Sequence, residues 1–138
     1  MTSPATIIGV DPGDKRIGLA IADLETRFAR PLRVIDAGPE AAATIAAAAD
    51  ENRAERIVVG KPVGLSGREG PAVAKQQELV HALRGATTVE IAEFDERLTT
   101  VIAEAGLRAA GTRSSDRKEL RDAVAAQVML QGYLDSTS

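Results

Sequence analysis

The sequence predicts an α/β domain built on a mixed five-stranded sheet with helices on its faces. Three observations carry that expectation. Short β-branched runs are bounded by Gly and Pro, alanine-rich or amphipathic stretches separate the later runs, and the length of 138 residues fits one domain, spanning 1–138, rather than two. The predicted order is β-β-β-α-β-α-β-α-α. An antiparallel opening unit followed by strand–helix alternation makes the first three strands antiparallel and the fourth and fifth parallel.

The elements follow in order. Thr6 to Asp11 reads as a short buried strand, with Ile7, Ile8 and Val10 ahead of a Pro12-Gly13 breaker. Ile17 to Ala22 is a second strand, and the turn Pro12-Gly13-Asp14-Lys15 makes the two a hairpin. Pro31 to Asp36 is a third strand. Gly38-Pro39-Glu40 opens an alanine-rich helix to about Arg53, with Pro39 at the first helical position, where its missing N–H costs nothing. Arg56 to Gly60 is an apolar strand, and the loop Lys61 to Gly70 holds three glycines. Pro71 opens a second helix to about Arg84, Thr88 to Phe94 is the fifth strand, and helices follow at Thr100 to Ala110 and Arg117 to Leu134.

Composition excludes several classes of function. The chain has no cysteine, so disulfides, thiol chemistry and Cys-containing metal sites are out. The start, Met1-Thr2-Ser3-Pro4, has neither a basic n-region nor an apolar stretch, and no apolar run is long enough to span a bilayer, so a soluble cytoplasmic protein is expected. The single histidine, His81, falls within a predicted helix as a surface residue and rules out a His-based metal site. A net charge of −3 argues mildly against a phosphate-binding partner. The distribution counters this, because Arg97 to Arg121 carries six bases against three acids.

Three acidic positions stand out. Asp11 ends the first strand, and in open α/β sheets ligands bind beyond the carboxyl ends of strands. The alternative is an Asx-type hydrogen bond that caps the Pro-Gly turn. Asp95-Glu96 ends the last strand, and side-chain alternation lets only one of the two face the same side as Asp11. The other acid, or Thr99, serves to cap the helix that follows. Asp122 is the most informative. On a helical wheel it lies between Met129 and Tyr133, within a sector that also holds Ala123, Ala126, Leu130, Leu134 and Glu119. Glu119 completes a capping-box pattern with Asp116 as N-cap, whereas Asp122 has no such role. A carboxylate on that face calls for a cation or a basic partner, and a buried pair with an arginine is the alternative to a metal ion. Oxygen-only clusters suit Mg²⁺ or Mn²⁺.

At these residues the chain resembles the YqgF (RuvX) family, relatives of RuvC-type resolvases within the ribonuclease-H-like fold. The resemblance runs in order from Ile7 to Asp135. It is carried by Ile8-Gly9-Val10-Asp11-Pro12-Gly13-Asp14-Lys15-Arg16-Ile17-Gly18, by Ile57-Val58-Val59-Gly60-Lys61-Pro62 and by Gly67. The tract Asp95-Glu96-Arg97-Leu98-Thr99-Thr100 follows, then Asp122-Ala123-Val124-Ala125-Ala126 and Leu130-Gln131-Gly132-Tyr133-Leu134. It implies a ribonuclease-H-like mixed sheet and a metal-dependent nuclease in which Asp11, Glu96 from the Asp95-Glu96 pair, and Asp122 are catalytic and hold Mg²⁺ or Mn²⁺. Lys15, Arg16, Lys61, Arg97 and the stretch Arg113, Arg117, Lys118 are implied to touch the nucleic-acid backbone. Arg68 and Ser66 belong to a glycine-containing loop able to present N–H groups to a phosphate. Two departures are visible: Lys61 stands where the family more usually has Leu, and Gly13-Asp14 where it often has Gly-Thr. The extra acid, Asp14, is read as part of the turn.

The implied reaction is phosphodiester hydrolysis assisted by two divalent ions. The family is associated with trimming the 5′ end of precursor 16S ribosomal RNA and, through its relation to RuvC, with cutting Holliday junctions. Two other readings keep the fold: a sugar-kinase or actin-type ATPase, which needs two such domains, and a non-catalytic RNA-binding module. The sequence leaves RNA and branched DNA open as substrates, and a monomer or weak homodimer as the state. With two Phe, one Tyr and no Trp, base stacking has little surface, which favours recognition of backbone and shape.

Overall fold

The computed structural model describes residues 5–62, 70–95 and 114–137, with the side chains of the last stretch described from residue 121 onward. The predicted helix over 100–110, most of the Lys61–Gly70 loop, and Glu96, Arg68, Arg97 and Arg113 lie outside the described residues. For Arg117 and Lys118 only the backbone is described.

Five strands form one sheet: β1 (Thr6–Pro12), β2 (Arg16–Asp23), β3 (Phe28–Asp36), β4 (Ala54–Lys61) and β5 (Glu90–Asp95). The helices are α1 (Ala41–Glu51), α2 (Pro71–Ala86) and α3 (Ser114–Ser136). Strand order is β3-β2-β1-β4-β5. β1–β2 and β2–β3 are antiparallel, β1–β4 and β4–β5 parallel, as the alternation of elements predicts. The carboxyl ends of β1, β4 and β5 therefore share one end of the sheet.

Three layers result, with α1 and α2 on one face and α3 on the other. Ile8 and Val10 of β1 meet the α1/α2 layer together with Ile17, Leu19, Ile21, Ile45, Ile57, Val59, Val80 and Leu83. Ile7, Ala20, Ala22 and Val58 meet Ala126, Met129, Leu130 and Leu134 of α3. Covering on both faces explains why β1 reads as an unbroken apolar run rather than an alternating one.

The strand β2 explains how closely α3 can lie. Its large residues, Ile17, Leu19 and Ile21, alternate with Gly18, Ala20 and Ala22, so the face toward α3 is a floor of small side chains. A Cβ on Gly9 would lie 2.9 Å from the Leu130 Cβ, and one on Gly18 would lie 1.9 Å from the Asp122 backbone oxygen. Only glycine permits these approaches. Polar anchors then fix α3 along the sheet edge. Gln131 Oε1 accepts from the Ala29 N–H at 2.9 Å, and Gln127 Nε2 donates to the Ala29 carbonyl at 3.1 Å.

Some boundaries differ from expectation. The strand β3 begins at Phe28 rather than Pro31, because Pro31 sits inside an edge strand beside a register shift between Leu19 and Ala20, where its missing donor is tolerated. The first helical residue of α1 is Ala41, with Glu40 at the N-cap, so Pro39 belongs to the preceding turn instead of the first helical position. The helix α3 starts at Ser114, which puts Asp116 inside the first turn and not at the N-cap. The buried positions of α3, Ala123, Ala126, Met129, Leu130 and Leu134, are those the wheel selects, and His81 is exposed.

Candidate active site

The site is assembled where the β1–β2 hairpin meets the first described turns of α3. On β1, Ile7 and Gly9 face α3, so alternation assigns Asp11 to that face as well. Its cross-strand partner is Gly18. The backbone of Asp122 rests on Gly18, so the Asp11–Gly18 pair is the surface on which Asp122 stands. Two carboxylates separated by 111 positions are thereby brought to one end and one face of the sheet.

Arg16, the first residue of β2, shares that face with Gly18. Its Nε donates to Asp122 Oδ2 at 2.7 Å, with the two side chains 35% and 27% exposed. The arginine partner weighed for Asp122 from sequence is thus present, but as a half-exposed pair rather than a buried one. Its pairing across 106 positions has no local signature in the sequence.

The remaining candidates distribute differently. Asp14 lies in the hairpin turn and accepts from Lys75 Nζ at 3.1 Å, tying the turn to α2 in an exposed ion pair. That agrees with its reading as a turn residue. Lys15 is exposed in the same turn, and its carbonyl accepts from the Ala37 N–H at 2.9 Å. Along β5, Ala92 and Phe94 pack on the α3 side while Glu93 is bonded to α2, so alternation sends Asp95 toward α2 and away from Asp11. Lys61 is the register partner of Asp95 and acts electrostatically on Glu93, so it too belongs to the α2 side.

Sequence reasoning missed the cluster around Glu93. Gln76 is fully buried, and its Nε2 donates to Glu93 Oε1 at 2.9 Å while Gln77 Nε2 donates to the same oxygen at 2.6 Å. The Gln76 bond, above all, holds the Glu93 carboxyl below its ordinary value, with help from Gln77, Lys61 and Arg84 and against the effect of burial. A cavity of about 580 Å³ opens on the same α1/α2 side, lined by Pro12, Asp14, Ala42, Lys75, Gln76 and Leu79 among others. It lies across the sheet from Asp122, so cavity size does not mark the carboxylate site.

Two carboxylates on one face suit a hard divalent cation, which prefers oxygen donors. Among the described residues no group of three or more His, Cys, Asp or Glu is placed to hold an ion. The third carboxylate expected from the sequence, Glu96, lies outside them. Among the described residues no helix is long and apolar enough to cross a membrane.

The architecture is shared by solved resolvases. T. thermophilus RuvC in complex with a Holliday junction substrate superposes with a TM-score of 0.60 at 19% identity, covering 96% of this chain and 95% of that one. The fowlpox virus resolvase in complex with Holliday junction DNA gives 0.59 at 11% identity, covering 96% and 98%. At such identities the likeness is one of fold, the ribonuclease-H-like architecture that RuvC also has.

The family follows from sequence. The RuvX model, described as Holliday junction resolvase, matches residues 5–136, and the chain belongs to that family. A relative from Chloroflexus aggregans named "Putative pre-16S rRNA nuclease" is 45% identical over 133 residues, 95% of this chain and 94% of the relative. One of the same name from Anaeromyxobacter dehalogenans (strain 2CP-C) is 42% identical over 130 residues, 93% and 95% of the two chains. The resemblance read from the motifs is therefore shown, and with it a nuclease role.

Proposed function

We propose that this protein is a metal-dependent nuclease, a single ribonuclease-H-like domain over 1–138, that trims the 5′ end of precursor 16S ribosomal RNA in the cytoplasm. The observation that carries the reading is the placement of Asp122 on the Asp11–Gly18 pair, at the carboxyl end of β1. Packing of α3 on the sheet runs through Ala126, Met129, Leu130 and Leu134 rather than the Asp122 side chain, whose half-exposed pair with Arg16 is worth little to stability. The names of the curated relatives support RNA trimming.

Asp11 and Asp122 are the proposed ligands of Mg²⁺ or Mn²⁺, with Glu96 as the third. Since alternation directs Asp95 toward α2, Glu96 is the member of that pair left for the ion. A pair of such ions held there would supply activation of a water and stabilisation of the charge on a departing 3′-oxygen, consistent with a 5′-phosphate product. The chain's own contribution is to fix the ligands on rigid elements, one on a central strand and one on a helix seated by glycine contact. Arg16 and Lys15, at the same hairpin, are the proposed contacts to the phosphodiester backbone together with Arg68, Arg97, Arg113, Arg117 and Lys118, and Lys61 joins them from the α2 side of the same sheet end. A monomer or weak homodimer suffices for trimming, whereas symmetric junction cleavage needs two sites.

The test compares wild type with Asp11→Asn on a 5′-extended 16S precursor RNA and a four-way DNA junction, each with Mn²⁺, Mg²⁺ or EDTA. Metal-dependent cleavage of the RNA, lost in the variant, is the expected result. Preferential cutting of the junction would reassign the substrate. Binding without cleavage of either would leave a nucleic-acid-binding module in place of the enzyme.

A further inference from the structure

Resting on the metal-site reading above, we propose that Arg16 is a substrate-responsive lock: it occupies the Asp122 carboxylate until a phosphodiester takes its guanidinium, and only then is Asp122 released to the divalent ion. Nucleic acid would thus load its own metal, and the protein without nucleic acid would hold the ion weakly.

Three observations lead there. The first is occupancy, because the Nε of Arg16 sits 2.7 Å from Asp122 Oδ2, one of the two oxygens through which this carboxylate can hold a metal ion. A guanidinium and a divalent cation on one carboxylate repel each other at short range, so the two compete. The second is the weakness of the contact. It joins Nε to one carboxylate oxygen between side chains 35% and 27% exposed, and such half-solvated pairs exchange at little cost. A phosphate offers the planar guanidinium a two-pronged, charge-assisted partner instead. The third is position. Arg16 begins β2 immediately after the exposed hairpin turn carrying Lys15, and its side chain is itself 35% exposed, so a phosphodiester can reach its guanidinium.

Other charged groups stand near Arg16. Arg16 pairs in register with Asp36 of β3, and α3 contributes Asp122 and the exposed Arg121. The nearest described positive charge along the hairpin, Lys15, has no bond to Asp122, which makes it a control for charge alone. Because linkage is reciprocal, whatever factor nucleic acid gives to metal affinity, the metal returns to nucleic-acid affinity.

The experiment measures Mn²⁺ affinity of the full chain without nucleic acid, by EPR of the free ion, for wild type, Arg16→Gln and Lys15→Gln. The lock requires Arg16→Gln to bind Mn²⁺ about five- to tenfold more tightly, in the usual range of coupling, and Lys15→Gln to stay within about twofold of wild type. Arg16→Lys, which keeps the charge and loses the Nε donor, should fall between and serves if the glutamine variant unfolds in urea too early to titrate. Equal or weaker binding by Arg16→Gln, or equal tightening in both neutral variants, overturns the lock while leaving the metal site standing. No Mn²⁺ binding by any form, Arg16→Gln included, sinks the metal reading itself. A second arm follows the Arg16 Nε–H resonance by NMR in EDTA while precursor RNA is added. The resonance should leave its carboxylate-bonded position, and a resonance that RNA does not move refutes the exchange.

Discussion

The carbonyl of Asp122 lies so close to Gly18 that a single methyl group there would sit 1.9 Å from the oxygen. Sequence, packing and chemistry meet in this contact. Gly18 pairs with Asp11, and the small face of β2 continues through Ala20 and Ala22, so α3 descends until the Asp122 backbone rests on β2 opposite the end of β1. The proposed site is thus a consequence of close helix–sheet packing, and its geometry is set by what β2 lacks on one face.

Gly18→Ala tests that dependence. The methyl meets backbone rather than a pliable side chain, so α3 must move, at a cost of about 1–3 kcal/mol. Gly9→Ala presses instead on the Leu130 side chain, two turns further along α3. The expected outcome is comparable loss of stability in urea but a far larger loss of cleavage in Gly18→Ala. Equal losses of cleavage would mean that Asp122 does not depend on the Gly18 contact.

The pH response of stability should carry the signature of Glu93. Its carboxyl is held below the ordinary value of 4.5, chiefly by the Gln76 hydrogen bond. A carboxyl depressed in the folded state contributes stability that is present above the unfolded value and is lost as pH falls through the folded one. Thermal melts of wild type should therefore decline below about pH 4.5 more steeply than those of Glu93→Gln. Matching acid limbs would remove Glu93 from the account. Gln76→Met should raise the Glu93 value, which carboxyl NMR titration reads directly.

Much of this was legible in the residues, for identifiable reasons. The run from Ile7 to Val10 is apolar on both faces and ends at Pro12-Gly13, so β1 and its hairpin stood out. Asp122 stood out because, of the two acids in the apolar sector of the wheel, Glu119 is the one that fits a capping box, and the observed burial of Ala123, Ala126 and Met129 follows that wheel. What stayed hidden depends on tertiary distance. Nothing local to Arg16 announces Asp122. A glycine within a strand reads as a bulge or weak point until the helix over it is seen, and Pro31 reads as a strand start until β3 is known to be an edge. Gln76 likewise looks like a surface residue on an ordinary helix until β5 supplies Glu93.

Stability and function should separate at Tyr133. Its hydroxyl accepts from Arg56 Nη1 at 2.8 Å, and its ring meets Phe94 edge-on with centroids 6.1 Å apart. Arg56 pairs in register with Ile7, at the end of β1 away from Asp11. Tyr133→Phe removes only the hydroxyl, costing about 0.5–1.5 kcal/mol, and its kcat should equal that of wild type. A fall in kcat without loss of fold would show that the far end of α3 is coupled to the site.

Metal-dependent stability offers the sharpest separation between a structural pair and a ligand set. As a half-exposed ion pair alone, Arg16–Asp122 is worth about 0–1 kcal/mol, so Asp122→Asn should barely shift the melting of metal-free protein. If Asp11 and Asp122 hold an ion, Mn²⁺ at a hundredfold above its Kd stabilises the folded state by about 2.7 kcal/mol. That gain should vanish in Asp11→Asn and in Asp122→Asn alike, although the two residues belong to different elements. Calorimetry of the three proteins with Mn²⁺ and with EDTA decides it. A gain retained in Asp11→Asn would place the ion elsewhere, and a large loss in metal-free Asp122→Asn would make the carboxylate a structural element after all. The expected pattern, silence without metal and joint loss with it, has no explanation in packing. The packing of Asp122 is backbone on Gly18, and asparagine preserves it.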